Sequence, residues 1–393
     1  MMSLTNRRLK TVRCAPTSES SVAEVTVVIT CYNYARYLAQ AVHSALGQVG
    51  VAVRVIVVDD ASTDSSLEVA RGLSAADPRV RVLACPQNLG PVGAFNLGLE
   101  QSRGEFLVRL DADDLLTPGS LQRAVAVLRA FPDVGLVYGH PLHFSGNDLP
   151  PHRSTPIWWD VWSGHDWLAA RCADGTNVIT SPEVVMRRSV VDRVGGMRPL
   201  AHTHDMELWL RLSAHADVAY IGGVDQAWHR DHPSSLSTKA EHPMIILAEL
   251  RAAFDELFSG LSSGYPNGSR LLRDAQRAVA TEALAQASRP LDRGEITELV
   301  GELRAFAIAT DPTITTTHVW SRFESRRTTK LPAALLRATG ALPRLGRRMR
   351  TRTRLQRWHR NGVYERLQFV RDGFGTDGRH DPLAVDEQTV AAS

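Results

Sequence analysis

An α/β fold built on a mostly parallel central sheet flanked by helices is what this sequence predicts, and three observations predict it. Between residues 25 and 140, short apolar runs alternate with segments of helical periodicity. The apolar runs are rich in β-branched residues without polar alternation, as strands covered on both faces must be. Polar and acidic residues collect where those runs stop, and in parallel sheets ligands bind outside the carboxyl ends of the strands.

The elements follow in order. VTVVIT (25–30) is a strand, and ARYLAQAVHSALGQ (35–48) is a helix with Leu38, Val42, Ala45 and Leu46 on one side. VRVIVVDD (53–60) is the next strand, and STDSSLEVARGLSA opens with cap residues before its helix. VRVLAC (80–85), the helix GPVGAFNLGLEQS and the strand EFLVRL (105–110) come next. TPGSLQRAVAVLRAF (117–131) carries Pro118 near the helix start, where a missing amide costs little, and DVGLVYGH (133–140) is a further strand. The pattern loosens over 141–180, around Trp158, Trp159, Trp162 and Trp167. SPEVVMRRSVVDRVGG (181–196) reads as strand, short helix and glycine stop; HTHDMELWLRLSAHA (202–216) reads as an amphipathic helix. DVAYIGGVDQAWHRDHPSSLS (217–237) reads as two short strands and a polar loop.

Five segments are therefore expected: a flexible lead (1–22), a main domain (23–240), a helical extension (241–317), a basic arm (318–372) and a loose tail (373–393). The main domain divides at about 115 into a nucleotide-binding half and an acceptor-binding half. The net charge of +3 conceals an asymmetry. From Arg322 to Arg366 there are 13 Arg and one Lys against Glu324 and Glu365, a local balance of +12 that leaves the rest of the chain at −9. Such an arm is suited to its own acidic body or to an anionic membrane surface. No motif that reads nucleic acid accompanies it. Four widely spaced cysteines speak against a disulfide scaffold or a zinc ribbon, and for a reducing compartment. With no signal-like or membrane-spanning apolar run, a cytoplasmic protein is expected, associated at most with the inner membrane face.

The strand end EFLVRLDADD sets Asp111, Asp113 and Asp114 close together. Like charges this near disfavour ionisation, so either they face water or a cation lies among them. Mg²⁺ and Mn²⁺ prefer carboxylate oxygens completed by water and phosphate, which a D-x-D supplies. Thr30 to Asn33 and Asp59-Asp60 end two neighbouring strands, so the topology brings all three groups to one edge.

Read in order, VVITCYNYARYLAQAVHSALGQ, VIVVDDASTDSS, NLGPVGAFNLGLEQSRGEFLVRLDADDLLTPGSL and HDMELWLRL resemble an inverting family 2 glycosyltransferase of the GT-A fold, over residues 25 to 237. The resemblance implies nucleotide contacts from Thr30, Tyr32, Asn33, Asp59, Asp60, Asn96 and Asp111. It implies a Mn²⁺ or Mg²⁺ ion at Asp111 and Asp113, with His232 closing over it, and Asp205 as general base. His204 stands where the family often has Glu, and Ala94-Phe95-Asn96 where it often has Ala-Arg-Asn. The implied reaction moves a sugar from a nucleoside diphosphate (UDP, dTDP or GDP) to a carbohydrate, lipid-linked or small-molecule acceptor. Trp158, Trp159 and His204 are candidate acceptor contacts. Two other readings compete. One is a nucleotide-sugar-binding partner subunit without turnover; the other is a sugar nucleotidyltransferase, which usually carries a Gly-rich loop where ITCYNYAR stands here.

Overall fold

Each apolar run of the first half forms a strand in the computed structural model, which describes residues 10–12, 22–233, 242–261, 264–295, 297–329 and 341–363. The expected loose tail, most of the lead and residues 234–237 lie outside the described residues. In chain order the elements begin β1 (Lys10–Val12), β2 (Ala23–Cys31), α1 (Ala35–Leu46), β3 (Val51–Asp59), α2 (Ser66–Ala76), β4 (Val80–Ala84) and α3 (Gly90–Gln101). They continue with β5 (Phe106–Asp111), β6 (Leu115–Leu116), α4 (Ser120–Ala130), β7 (Val134–Phe144), β8 (Trp158–Trp162), α5 (Gly164–Asp174), β9 (Val185–Arg187) and α6 (Arg188–Val194). Then come α7 (His204–Ser213), β10 (Asp217–Arg230), α8 (Pro243–Gly260), α9 (Gly268–Leu291), α10 (Glu298–Thr310), α11 (His318–Thr328) and α12 (Ala341–Asn361).

Among the described residues the sheet has ten strands in the order β1-β8-β10-β7-β9-β5-β2-β3-β4, with β6 paired to β10. β4, β3, β2 and β5 are mutually parallel, as are β7 and β10. The short β9 is antiparallel to both β5 and β7, so the two parallel groups point the same way. Val25 to Cys31 are all buried, which is why VTVVIT shows no polar alternation. One face of the sheet is covered by α1, α2 and α4, the other by α3, α5 to α7 and the helical extension. Gly98 lets α3 lie directly on the sheet, since a Cβ there would sit 2.4 Å from Val28.

The structure departs from the sequence pattern at three places. Lys10–Val12 of the lead is a strand, paired with β8. The tryptophan-rich stretch also forms a strand, β8, antiparallel to β10. Residues 217–230 are one long strand rather than two; Gly222-Gly223 read as a turn, but Gly223 (φ 82°) makes a bulge while β7 continues alongside.

The basic arm packs on the body. Arg326, Arg344 and Arg347 converge on Asp292 at the end of α9. Trp358 Nε1 donates to Val178 O at 2.8 Å, and Tyr138 Oη donates to Gly362 O at 2.9 Å. No helix among the described residues is long and apolar enough to cross a membrane.

Candidate active site

Parallel register sets the first group of polar residues side by side. Thr30 pairs with Asp111 across β2 and β5, and Cys31 pairs with Asp59 across β2 and β3. Thr30 Oγ1 donates to Asp111 Oδ1 at 3.1 Å. Asp59 is buried; its Oδ2 accepts the Ser62 amide at 3.2 Å, while its Oδ1 has no hydrogen-bond partner. A buried carboxylate oxygen without a donor is costly and marks a place where a ligand donor fits. Asp60 differs, because its Oδ1 accepts the Leu89 amide at 2.6 Å. Tyr32 is 45% exposed at the rim. Asn33, at φ 60°, uses its side-chain oxygen to accept the Thr63 and Asp64 amides, tying the β2–α1 and β3–α2 loops together.

The D-x-D contains two differently placed carboxylates. Asp111 is neutralised from within its own strand: Arg109 Nη2 donates to Asp111 Oδ1 at 2.6 Å, and Nη1 donates to Ser181 Oγ at 2.6 Å. Ser181 is presented by a tight loop in which the buried Glu183 accepts the Thr180 and Ser181 amides. Burial holds the Glu183 carboxyl up at about 7. Asp113 is buried with His232 Nε2 2.7 Å from its Oδ2. Burial, then Asp114, then Asp111 push Asp113 up to about 8. The His232 ring lies 5.6 Å from the ring of Tyr34 and 5.8 Å from that of Tyr37. Arg230 sits over Tyr37 at 4.3 Å and donates from Nη2 to Gln40 Oε1 at 2.9 Å. Oxygen-rich donors crowded until burial and like charge raise one carboxyl this far are short of positive charge. By donor type Asp111, Asp113 and His232 suit a hard divalent cation, though their ligand atoms do not all close to within 4.8 Å of one another.

Asp205 lies in the first turn of α7, partly exposed, with Oδ1 accepting the Met206 amide at 2.6 Å. Burial raises its pKa, against the opposing charges of His204 and Arg109, and Asp111 adds to the rise. The His204 ring is pushed down by burial and by Arg109. Arg109 therefore acts electrostatically on Asp205 and His204 while bonding Asp111, which links the two halves of the main domain at one point.

Three predicted residues lie elsewhere. Asn96 has both amide groups engaged with Met197, Nδ2 donating to its carbonyl and Oδ1 accepting its amide, each at 2.8 Å. It pins the segment before α7 instead of aiming its amide at a nucleotide. Trp159 is buried against Phe131, and Trp158 lies over Gly222 with its indole donating to Asp160. Both pack beside the early part of β10, not at the edge that ends in Arg230. Trp159, Trp162 and Trp167 are thus core residues, while Trp158 is half-buried. The sequence reading passed over Arg109, Ser181, Glu183, Tyr34 and Tyr37. An arginine two residues before Asp111, on the same side of a buried strand, was the available signal for the first.

Comparison with known proteins now bears on this geometry. The profile described as "Glycosyl transferase family 2" matches residues 26–195. The chain is 41% identical over 110 residues to the succinoglycan biosynthesis protein ExoO of Rhizobium meliloti (strain 1021), covering 28% of this chain and 31% of that one. It is 39% identical over 125 residues to the uncharacterized glycosyltransferase alr2836 of Nostoc sp., covering 32% and 38%. The matches thus span about a third of the length of these relatives. A mannosyltransferase from Pyrobaculum calidifontis, solved with GDP-Man and Mn²⁺, superposes with a TM-score of 0.54 over 86% of both chains at 20% identity. That likeness is one of fold, the GT-A arrangement. Over residues 26–195, less than half of its length, the chain is similar to glycosyl transferase family 2.

Proposed function

We propose that this chain is a metal-dependent inverting glycosyltransferase, moving a sugar from a nucleoside diphosphate to an acceptor hydroxyl or amine. The observation that carries the reading is the polar cluster at one strand edge, where Thr30 and Arg109 hold Asp111, His232 meets Asp113, and Asp59 keeps an unpartnered oxygen.

The roles follow from charge and geometry. Asp59, with its unpartnered oxygen, accepts from the base or ribose, and Thr30 and Tyr32 flank it. Arg109 fixes the rotamer of Asp111. Asp113, Asp111 and His232 would hold a Mn²⁺ or Mg²⁺ ion, whose charge would neutralise the departing nucleoside diphosphate. Asp205 removes the acceptor proton as the acceptor attacks the face opposite the leaving group. Its raised pKa makes it a stronger base than a solvated aspartate.

The name of the Rhizobium relative favours polysaccharide assembly over natural-product glycosylation. The basic arm supports peripheral contact with an anionic membrane. The outward side of α12 interleaves exposed Leu345, Met349 and Leu355 with exposed Arg348, Arg352 and Arg360.

Calorimetry with UDP, dTDP and GDP, each in Mn²⁺, Mg²⁺ and EDTA, tests the proposal. Metal-dependent binding of one nucleotide, lost in Asp113→Ala, is expected. Binding of none, or binding indifferent to EDTA, would sink the metal-diphosphate reading.

A further inference from the structure

β7 and β10 run side by side to the same edge, and their last residues bring a second set of donor atoms together. His143 and His229 are register partners, with ring centroids 5.0 Å apart. Asp231 follows β10, and its amide donates to Phe144 O at 2.8 Å, which turns its carboxylate back toward both rings. His143 Nδ1 lies 3.3 Å from each Asp231 oxygen, and His229 Nε2 lies 3.9 Å from Oδ1. One donor atom from each of the three residues falls within 4.8 Å of the others.

The other nitrogen of His229 separates this group from an ordinary His–Asp pair. His229 Nδ1 is 3.1 Å from Asp114 Oδ2, and Asp114 Oδ1 accepts the Arg230 amide at 2.9 Å. An ionised carboxylate only accepts, so Nδ1 must carry the proton it shares with Asp114. Nε2, facing His143 and Asp231, is then the nitrogen a metal ion would bind, in place of the proton that Asp114 and Asp231 favour on this ring. Carboxylates orient metal-ligating histidines in this same way. Bonds of about 2.1 Å in a tetrahedral site place donors about 3.4 Å apart, close to the 3.3 and 3.9 Å found here.

We propose that His143, His229 and Asp231 form a binding site for a divalent transition metal of the zinc class, separate from the Asp111–Asp113 set and held in place by Asp114. Two imidazoles and one carboxylate suit Zn²⁺ better than Mg²⁺, which prefers oxygen throughout. The side chains of His143 and Asp231 are 46% and 53% exposed, which gives the ion an entry path and leaves a position for water. Asp231 immediately precedes His232, so an ion here fixes the backbone at the residue that reaches Asp113. The site requires neither a nucleotide nor transfer chemistry.

The test uses the full chain, free of any affinity tag and stripped of metal, without nucleotide. Zn²⁺ is titrated by calorimetry, and Co²⁺ is followed by its visible absorption. The expected result is one Zn²⁺ equivalent that survives in Asp113→Asn and is lost in both His143→Ala and Asp231→Asn, with the Co²⁺ bands disappearing in the same two variants. Both positions are half-exposed, so melting temperatures in EDTA should match the parent. No Zn²⁺ binding by the parent chain would overturn the proposal. So would binding that persists in His143→Ala, or binding lost only in Asp113→Asn.

Discussion

Asp113 and Asp225 are both buried carboxylates, and their surroundings push them in opposite directions. At Asp113 burial raises the pKa, Asp114 and Asp111 raise it further, and the acid reaches about 8. At Asp225 burial also works to raise it, but hydrogen bonds from His140 and Arg153 outweigh that and hold the carboxyl well below the usual range. His140 Nδ1 lies 2.9 Å from Asp225 Oδ1, and the Arg153 amide donates to Oδ2 at 2.7 Å. The difference separates two uses of a buried acid. Where the chain supplies every donor, the carboxylate holds the fold; where it leaves positive charge wanting, the carboxylate is a candidate for a ligand.

The largest expected effect tests the ligand side of that contrast. Asp205→Asn keeps the size of the side chain and removes the base, so turnover should fall by about 10²–10⁴-fold, the range typical of general acid–base groups. Nucleotide binding should persist, because Asp205 lies on the acceptor side. Steady-state kinetics beside calorimetry separates the two, and undiminished turnover would remove Asp205 from the chemistry. Asp113→Asn should weaken metal-dependent nucleotide binding by about 100-fold or more, judged from the 10–100-fold cost of losing even an outer-shell partner. Thermal stability in EDTA should not fall, since the change relieves like-charge repulsion. A clear loss of stability would place Asp113 with Asp225 instead.

Asp225→Asn should do the reverse, lowering stability by about 3 kcal/mol, the scale for removing one member of a buried charged network. The pH dependence has a definite sign. A carboxyl depressed in the folded state contributes stability above its unfolded value of about 3.9 and loses it as pH falls toward the folded value. The gap in melting temperature between parent and Asp225→Asn should therefore be full at neutral pH and shrink below pH ~4. A gap that persists unchanged in acid would mean that packing, not charge, makes the difference.

The two acids were not equally legible in the sequence. Asp113 announced itself through its spacing from Asp111 at the end of an apolar run, and β2, β3 and β5 could be read because burial on both faces demands uninterrupted β-branched residues. Asp225 gave no such signal. Its partners lie 85 and 72 residues away, and the glycine pair before it reads as a turn unless β7 is known to run alongside. Arg109 did leave a local signal, two residues before Asp111, but its other partner Ser181 lies 72 residues further on. Local chemistry shows where a strand ends; only the topology shows who meets it there.

Asp292 offers the smallest test, because it repeats the Asp225 arrangement with more water nearby. Its carboxylate is buried at the end of α9, facing Arg326 of α11 and Arg347 of α12, while Arg344 bonds its carbonyl. The two arginine side chains are 19% and 27% exposed, so screening discounts each pair. Asp292→Asn should cost global stability only about 1 kcal/mol. Its local effect should be larger in kind: the charge that gathers α11 and α12 is gone, while Trp358 still anchors the far end of α12 at Val178. Hydrogen exchange should rise over residues 341–350 and remain unchanged near Trp358. Equal exchange along the whole helix would show that Trp358, rather than Asp292, holds the basic arm against the body.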